Sequence, residues 1–140
     1  MMMLNRRMAE SYGAVRAETG VAQADPIQLT QMLFDGFIES VDTAEGHMRA
    51  KDIQQKLKYM ARASKILVGL MDTLDLTKGG DLAKNLLELY KYLNKRLLLS
   101  NLHNDLEALK EVRHLMNEVR MAWTLVPVKL QEQRRPRVYS

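Results

Sequence analysis

The sequence predicts an all-α fold, an antiparallel up-down-up-down four-helix bundle, and three observations carry that reading. Leu, Ala, Met, Lys, Glu, Gln and Arg, the good helix formers, dominate the 140 residues. The three prolines stand at 26, 127 and 136, so 27–126 is free of the residue that breaks helix interiors. Along that segment apolar residues recur at steps of three and four, the period of an amphipathic helix.

Pro26 suits the first turn of a helix, with Asp25 as its N-cap. This first helix runs to about Arg49 on a stripe of Leu29, Leu33, Phe37, Val41, Ala44 and Met48. Within it, "MLFDG" contains an Asp-Gly pair, a hairpin signal when its flanks alternate. Here they follow the helical period, and a turn would leave two fragments too short to persist. Gly36 is therefore read as helical, at a cost of about 1 kcal/mol relative to alanine. The return is close approach by the N-terminal segment or a neighbouring helix.

Asp52 is the expected N-cap of a second helix with the stripe Ile53, Leu57, Met60, Ser64, Leu67, Met71 and Leu74. "TKGGD" ends it, with Gly79 or Gly80 at positive φ and Asp81 capping the next helix. The third helix carries Leu82, Leu86, Tyr90, Leu93 and Leu97. "SNLHND" is a short break with Asn104 as the cap. The fourth helix carries Leu109, Val112, Met116, Val119, Trp123 and Val126 and ends before Pro127. Short loops between helices of this length make neighbours antiparallel. Three regions result: an N-terminal segment, 1–25, that caps the bundle and is mobile; the bundle, 26–126; and a basic, disordered tail, 127–140.

Composition excludes several functions. There is no cysteine, hence no disulfide framework and no thiolate metal site. "MMMLNRRM" has no apolar core of a secretory signal behind it. No run reaches the ~18–20 apolar residues of a membrane span, so a cytoplasmic protein without membrane insertion is expected. The net charge of +4 is concentrated partly in "RRPR", Arg134 to Arg137. No aromatics interleave these residues as a single-strand nucleic-acid face requires, and a solvated tail is the reading taken.

Chemical sites are few. "EVRH", Glu111 to His114, matches the Glu-x-x-His of di-iron bundles, but one copy facing away from the core stripe does not make a metal site. "HMRAK", from His47 onward, lacks the glycine of a phosphotransfer site, and His47 is read as structural; His103 sits at a cap. There is no phosphate loop and no nucleophile elbow. No enzyme, cofactor or metal is expected.

What remains is surplus apolar surface. A bundle helix needs an apolar arc of roughly 100°. Ile27, Phe34 and Ile38 widen that of helix one. Tyr59, Ala63, Ile66 and Leu70 form a second stripe on helix two. Tyr92 and Leu99 stand apart on helix three, and Leu87 and Leu98 broaden its other side. Three covers are open: the N-terminal segment, a second copy of a self-associating adaptor, or an amphipathic partner segment.

"SYGAVRAETGVAQADPIQLTQMLFDG", "KGGDLAKNLLELYKYLNKRLLLSNLHND" and "VRMAW" together resemble the FliS family of flagellar export chaperones, in order and from about Tyr12 to Trp123. The resemblance implies a cytosolic bundle that binds the disordered C-terminal region of flagellin and prevents polymerisation before secretion. It also implies an N-terminal segment displaced from the client surface, and leaves room for the export apparatus or other flagellar factors as partners. Tyr12 matches the family's N-terminal tyrosine. Leu29, Met32, Leu33, Asp35 and Gly36 match its helix-one motif, and Tyr90, Tyr92, Leu97, Asn101 and Asp105 its helix-three motif. Phe34 stands where many members have tyrosine. The expected client contacts are thus Tyr12, Asp35 and Asn101 with Ile27, Phe34, Ile38, Tyr59, Ile66, Leu70, Tyr92 and Leu99 of the surplus stripes. Gly36 and Trp123 are expected to be structural.

Overall fold

The computed structural model describes residues 26–125, which form four helices: α1 (Pro26–Arg49), α2 (Ile53–Asp72), α3 (Gly80–His103) and α4 (Leu106–Trp123). Asp25 and Tyr12, the whole segment 1–25 and the tail lie outside the described residues. Cross-helix contacts run in opposite directions at every seam. Tyr59 stacks on His47 while Arg62 reaches Gly36, so α2 descends along α1. Lys56 meets Asn101 and Ser64 meets Asn94; Ser100 meets Asp105 and Arg96 meets Glu111; Arg113 meets Asp42 and Arg120 meets Asp35. Each helix is antiparallel to its two neighbours, which is the expected up-down-up-down bundle.

The ends follow from local chemistry. The Asp52 carboxylate accepts from Gln55 N and caps α2. Before it, Asp52 N donates to His47 O and Lys51 N to Met48 O, a Schellman closure with Lys51 left-handed at φ 60°. Gly80, at φ +56°, turns the chain into α3. The cap there is Gly79 rather than Asp81, which lies inside the first turn. The cap of α4 is Asp105, accepting from Ala108 N. Asn104 instead ends α3 in the left-handed conformation, and His103 is the last residue of α3. The Asp105 side chain reaches the N–H three residues on, and the cap position falls there rather than one residue earlier.

The core is built from Leu33, Phe37 and Val41 of α1, Met60, Ala63, Ile66, Leu67 and Leu70 of α2, Tyr90, Leu93 and Leu97 of α3, and Leu109, Val112 and Met116 of α4. Each fully buried large side chain contributes roughly 1.5–3 kcal/mol of transfer free energy. Two sequence expectations are corrected by it. Phe34, Ile38, Ile66 and Leu70 are not surplus surface: all are buried, at 1%, 5%, 1% and 0% exposure. Conversely, Ile53, Leu57 and Leu82, assigned to core stripes, are exposed.

The reason lies at Gly36. It is helical and buried, and a Cβ there would meet Ile66 Cδ1 at 3.2 Å. The gap left by the missing side chain lets α2 seat its Ala63–Ile66–Leu70 row against α1. The row that looked like a second face is therefore part of the inner face, beside Met60 and Leu67 of the first stripe, and the core of α2 is rotated toward α1.

Candidate functional site

The four seams of the bundle are closed differently. Between α1 and α2, Arg62 Nη1 donates to Gly36 O at 3.1 Å and to Ser40 Oγ, and Ser40 Oγ donates to Gly36 O at 2.8 Å. Between α4 and α1, Arg113 grips Asp42 with two nitrogens and Arg120 Nη1 lies 3.3 Å from Asp35 Oδ1. Between α3 and α4, Arg96 Nε donates to Glu111 Oε1 at 2.7 Å and Tyr92 Oη donates to the same oxygen at 2.9 Å. These bonds hold the Glu111 carboxyl below its ordinary pKa, Tyr92 first and Arg96 second. The same contacts raise the pKa of Tyr92 and of Arg96.

The α2–α3 seam is bridged below its surface and leaves a groove above. A groove of about 540 Å³ runs along it, lined by Leu57, Met60, Ala61 and Ser64 of α2 and Asn94, Leu97, Leu98 and Asn101 of α3. Its floor is bridged by Ser64 Oγ and Asn94 Oδ1 at 3.0 Å. Its rims are apolar and exposed: Leu57 at 47% and Leu98 at 58%. Exposed leucines facing each other across two helices are a surface that an amphipathic helix fits.

At one end of the groove, Lys56 is 5% exposed, and its Nζ donates to Asn101 O at 3.0 Å and Asn104 Oδ1 at 2.7 Å. The cation sits at the C-terminal end of α3, where the helix dipole favours it. Asn101 Oδ1 is buried and accepts no hydrogen bond among the described residues. A buried acceptor left in that state costs about 1–3 kcal/mol, which a donor entering the groove would recover.

A second concavity, of about 830 Å³, lies at the end of the bundle where α1 begins and α4 ends. Ile27, Phe34, Leu74, Leu82, Tyr90 and Trp123 are among its walls. Trp123 packs edge-on against Phe34 with centroids 5.9 Å apart, and its Nε1 donates to Ile27 O at 3.5 Å. Burial raises the pKa of the Tyr90 hydroxyl far above its ordinary value.

The sequence-derived candidates thus disperse. Asn101 lines the groove, and Ile27 and Phe34 line the end concavity. Asp35 is engaged with Arg120 and Gln31, Tyr59 with His47, and Tyr92 with Glu111. Leu99 is half-buried; Ile38, Ile66 and Leu70 are interior. Tyr12 is outside the described residues. Leu57 was read from sequence as a core residue, and Ala61 and Lys56 were not singled out. The usable signal was the charge beside them, since Lys58 and Lys65 mark the solvent side of α2 and place Ala61 next to it.

Of the chemical-looking pairs, Glu111 is taken up by Tyr92 and Arg96, and His114 Nε2 lies 3.3 Å from Glu118 Oε1 on the surface of α4. Among the described residues no three His, Asp or Glu side chains gather as a metal site requires, and no helix is long and apolar enough to cross a membrane.

Comparison with known proteins gives the chain its relatives. The sequence profile of the family described as flagellar protein FliS matches residues 8–129. The flagellar secretion chaperone FliS of Salmonella typhimurium is 38% identical over 121 residues, 86% of this chain and 90% of that one. Flagellar secretion chaperone FliSB of Pseudomonas aeruginosa is 36% identical over 121 residues, 86% of this chain and 96% of that one. FliS of Bacillus subtilis is 28% identical over 106 residues, 76% and 78% of the respective chains.

Proposed function

The chain belongs to the FliS family of flagellar secretion chaperones, and on that footing we propose that its client is the C-terminal region of flagellin. It binds this segment in the cytoplasm, keeps subunits from polymerising and delivers them for secretion, without chemistry and without a cofactor. The α2–α3 groove is the docking surface. The observation that carries this reading is the exposure of Leu57 and Leu98 on a seam that no arginine bridges among the described residues. An apolar rim of this kind is stable in water at low cost and becomes dry when a client helix is laid on it.

The mechanism is coupled folding and binding. Ordering a disordered segment costs ~2–5 kcal/mol, so the contact has to bury on the order of 1,000–3,000 Å². That is more than the groove alone offers, and the client extends past it along the bundle. The end concavity beside Trp123 is a further apolar surface of suitable size.

A calorimetric titration with the last ~40–50 residues of the cognate flagellin tests the reading through its heat-capacity change. One-to-one binding with a large negative heat-capacity change is expected. No binding by a folded, monomeric chain removes flagellin as the client. A stable dimer that ignores flagellin assigns the same leucines to a second copy.

A further inference from the structure

We infer that the α2–α3 groove selects an amphipathic helix whose flanks are acidic, so that charge as well as apolar fit determines which segment is bound. The inference rests on the client reading above and adds the chemistry of the segment. Charge is divided sharply between the two halves of the bundle. Helices α2 and α3 carry eight lysines and arginines against three aspartates and glutamates, whereas α1 and α4 carry four against seven.

Three of those eight basic groups are used internally: Lys56 at the end of α3, Arg62 on Gly36 O, Arg96 on Glu111. The other five, Lys58, Lys65, Lys84, Lys91 and Lys95, are exposed. The spacing of four of them, all but Lys84, puts them beside the groove. Lys58 and Lys65 bracket Ala61 at steps of three and four on one side of α2. Lys91, Lys95 and Leu98 follow at steps of four and three on the facing side of α3.

Both apolar walls therefore have a lysine ridge directly outside them. Lys91 lies 3.8 Å from the exposed Glu88, and Lys65 and Lys95 form no ion pair among the described residues. A helix seated between Leu57 and Leu98 would place its own flanking positions against these ammonium groups. Aspartate or glutamate there is attracted and lysine or arginine repelled, over a Debye length of about 8 Å at physiological salt. Such rim charges act mainly on encounter rate and on discrimination between partners.

The test is fluorescence anisotropy on the full chain with two synthetic helical peptides of about five turns. They share one leucine face, and one is flanked by glutamate, the other by lysine. Binding of the glutamate peptide about tenfold tighter at low salt, with the preference shrinking as salt rises, is expected. The variant Lys58→Glu, Lys65→Glu, Lys91→Glu, Lys95→Glu is expected to reverse the preference. The neutral change Leu98→Asn is expected to weaken the glutamate peptide without altering its salt dependence. All five positions are exposed, and circular dichroism confirms the fold of each variant. Equal binding of both peptides, or no effect of Leu98→Asn, overturns the inference. So does equal competition by a single-stranded oligonucleotide, which would make the ridges a general polyanion surface. A flagellin C-terminal fragment titrated in parallel separates the two levels. If it binds while the peptides show no preference, only the charge selection falls. If it does not bind, the client reading falls with it.

Discussion

A Cβ built on Gly36 would stand 3.2 Å from Ile66 Cδ1, inside ordinary van der Waals contact. This relationship seats Ile66 of α2 in the core against α1. It gives a prediction with opposed terms. Gly36→Ala gains about 1 kcal/mol of helix propensity and must displace the end of Ile66 by a few tenths of an ångström, so urea midpoints within about 1 kcal/mol of the parent are expected. Gly36→Leu has no such room and should lose about 1–3 kcal/mol by overpacking. A leucine variant as stable as the parent would show that the close approach is not needed.

Lys56 links the start of α2 to the end of α3 through two hydrogen bonds from a nearly inaccessible ammonium. Lys56→Met keeps the stem and removes both donors. Because bonds from a charged donor are worth roughly 1.5–3 kcal/mol, a loss of that size is expected in denaturant titrations. Burial shields the pair from ions, so the loss should hardly change between low and high salt.

Tyr92, Arg96 and Glu111 give an acid-side signature. Glu111 titrates below its ordinary value of 4.5 in the folded state. Between the two values the unfolded chain binds more protons, so stability rises with pH there. The contribution is complete above pH 4.5 and disappears as pH falls through the folded value. Tyr92→Phe removes the largest cause of the depression. Unfolding midpoints measured from pH 3 to 7 should then show a shallower acid limb. An unchanged limb would mean that Arg96 alone sets the carboxylate.

The bundle was legible because it depends on period and caps, both local properties. Asp52 caps α2 and Pro26 opens α1 as the sequence implied. Gly36 was legible as helical because its flanks keep the step of three and four. What was not legible is the rotation of each helix about its axis. On α2 two apolar rows satisfy the helical period, and the core takes Ala63, Ile66 and Leu70 of one together with Met60 and Leu67 of the other, leaving Ile53 and Leu57 outside. A glycine on a different helix makes room for Ile66, and pattern within α2 carries no trace of it. The same holds for Lys56. A lysine at the start of an amphipathic helix looks solvated until Asn104, 48 residues away, is placed beside it.

That rotation yields the prediction that separates stability from binding. Ile66 and Leu70 are interior and Leu57 and Leu98 are exposed. Ile66→Ala and Leu70→Ala should each cost about 2–5 kcal/mol, as buried large-to-small changes do. In the folded fraction, client affinity should stay near that of the parent. Leu57→Asn and Leu98→Asn should leave stability within about 0.5 kcal/mol, as surface changes do. Each should weaken the flagellin fragment by about tenfold or more, equivalent to ~1.4 kcal/mol, because both leucines are exposed apolar walls of the groove that a client helix would cover. Denaturant unfolding and calorimetry on the same four proteins decide it. The reverse outcome would mean that the client reaches the inner row of α2. The Gly36 contact would then have to open during binding, and α1 would move away from α2 to admit it.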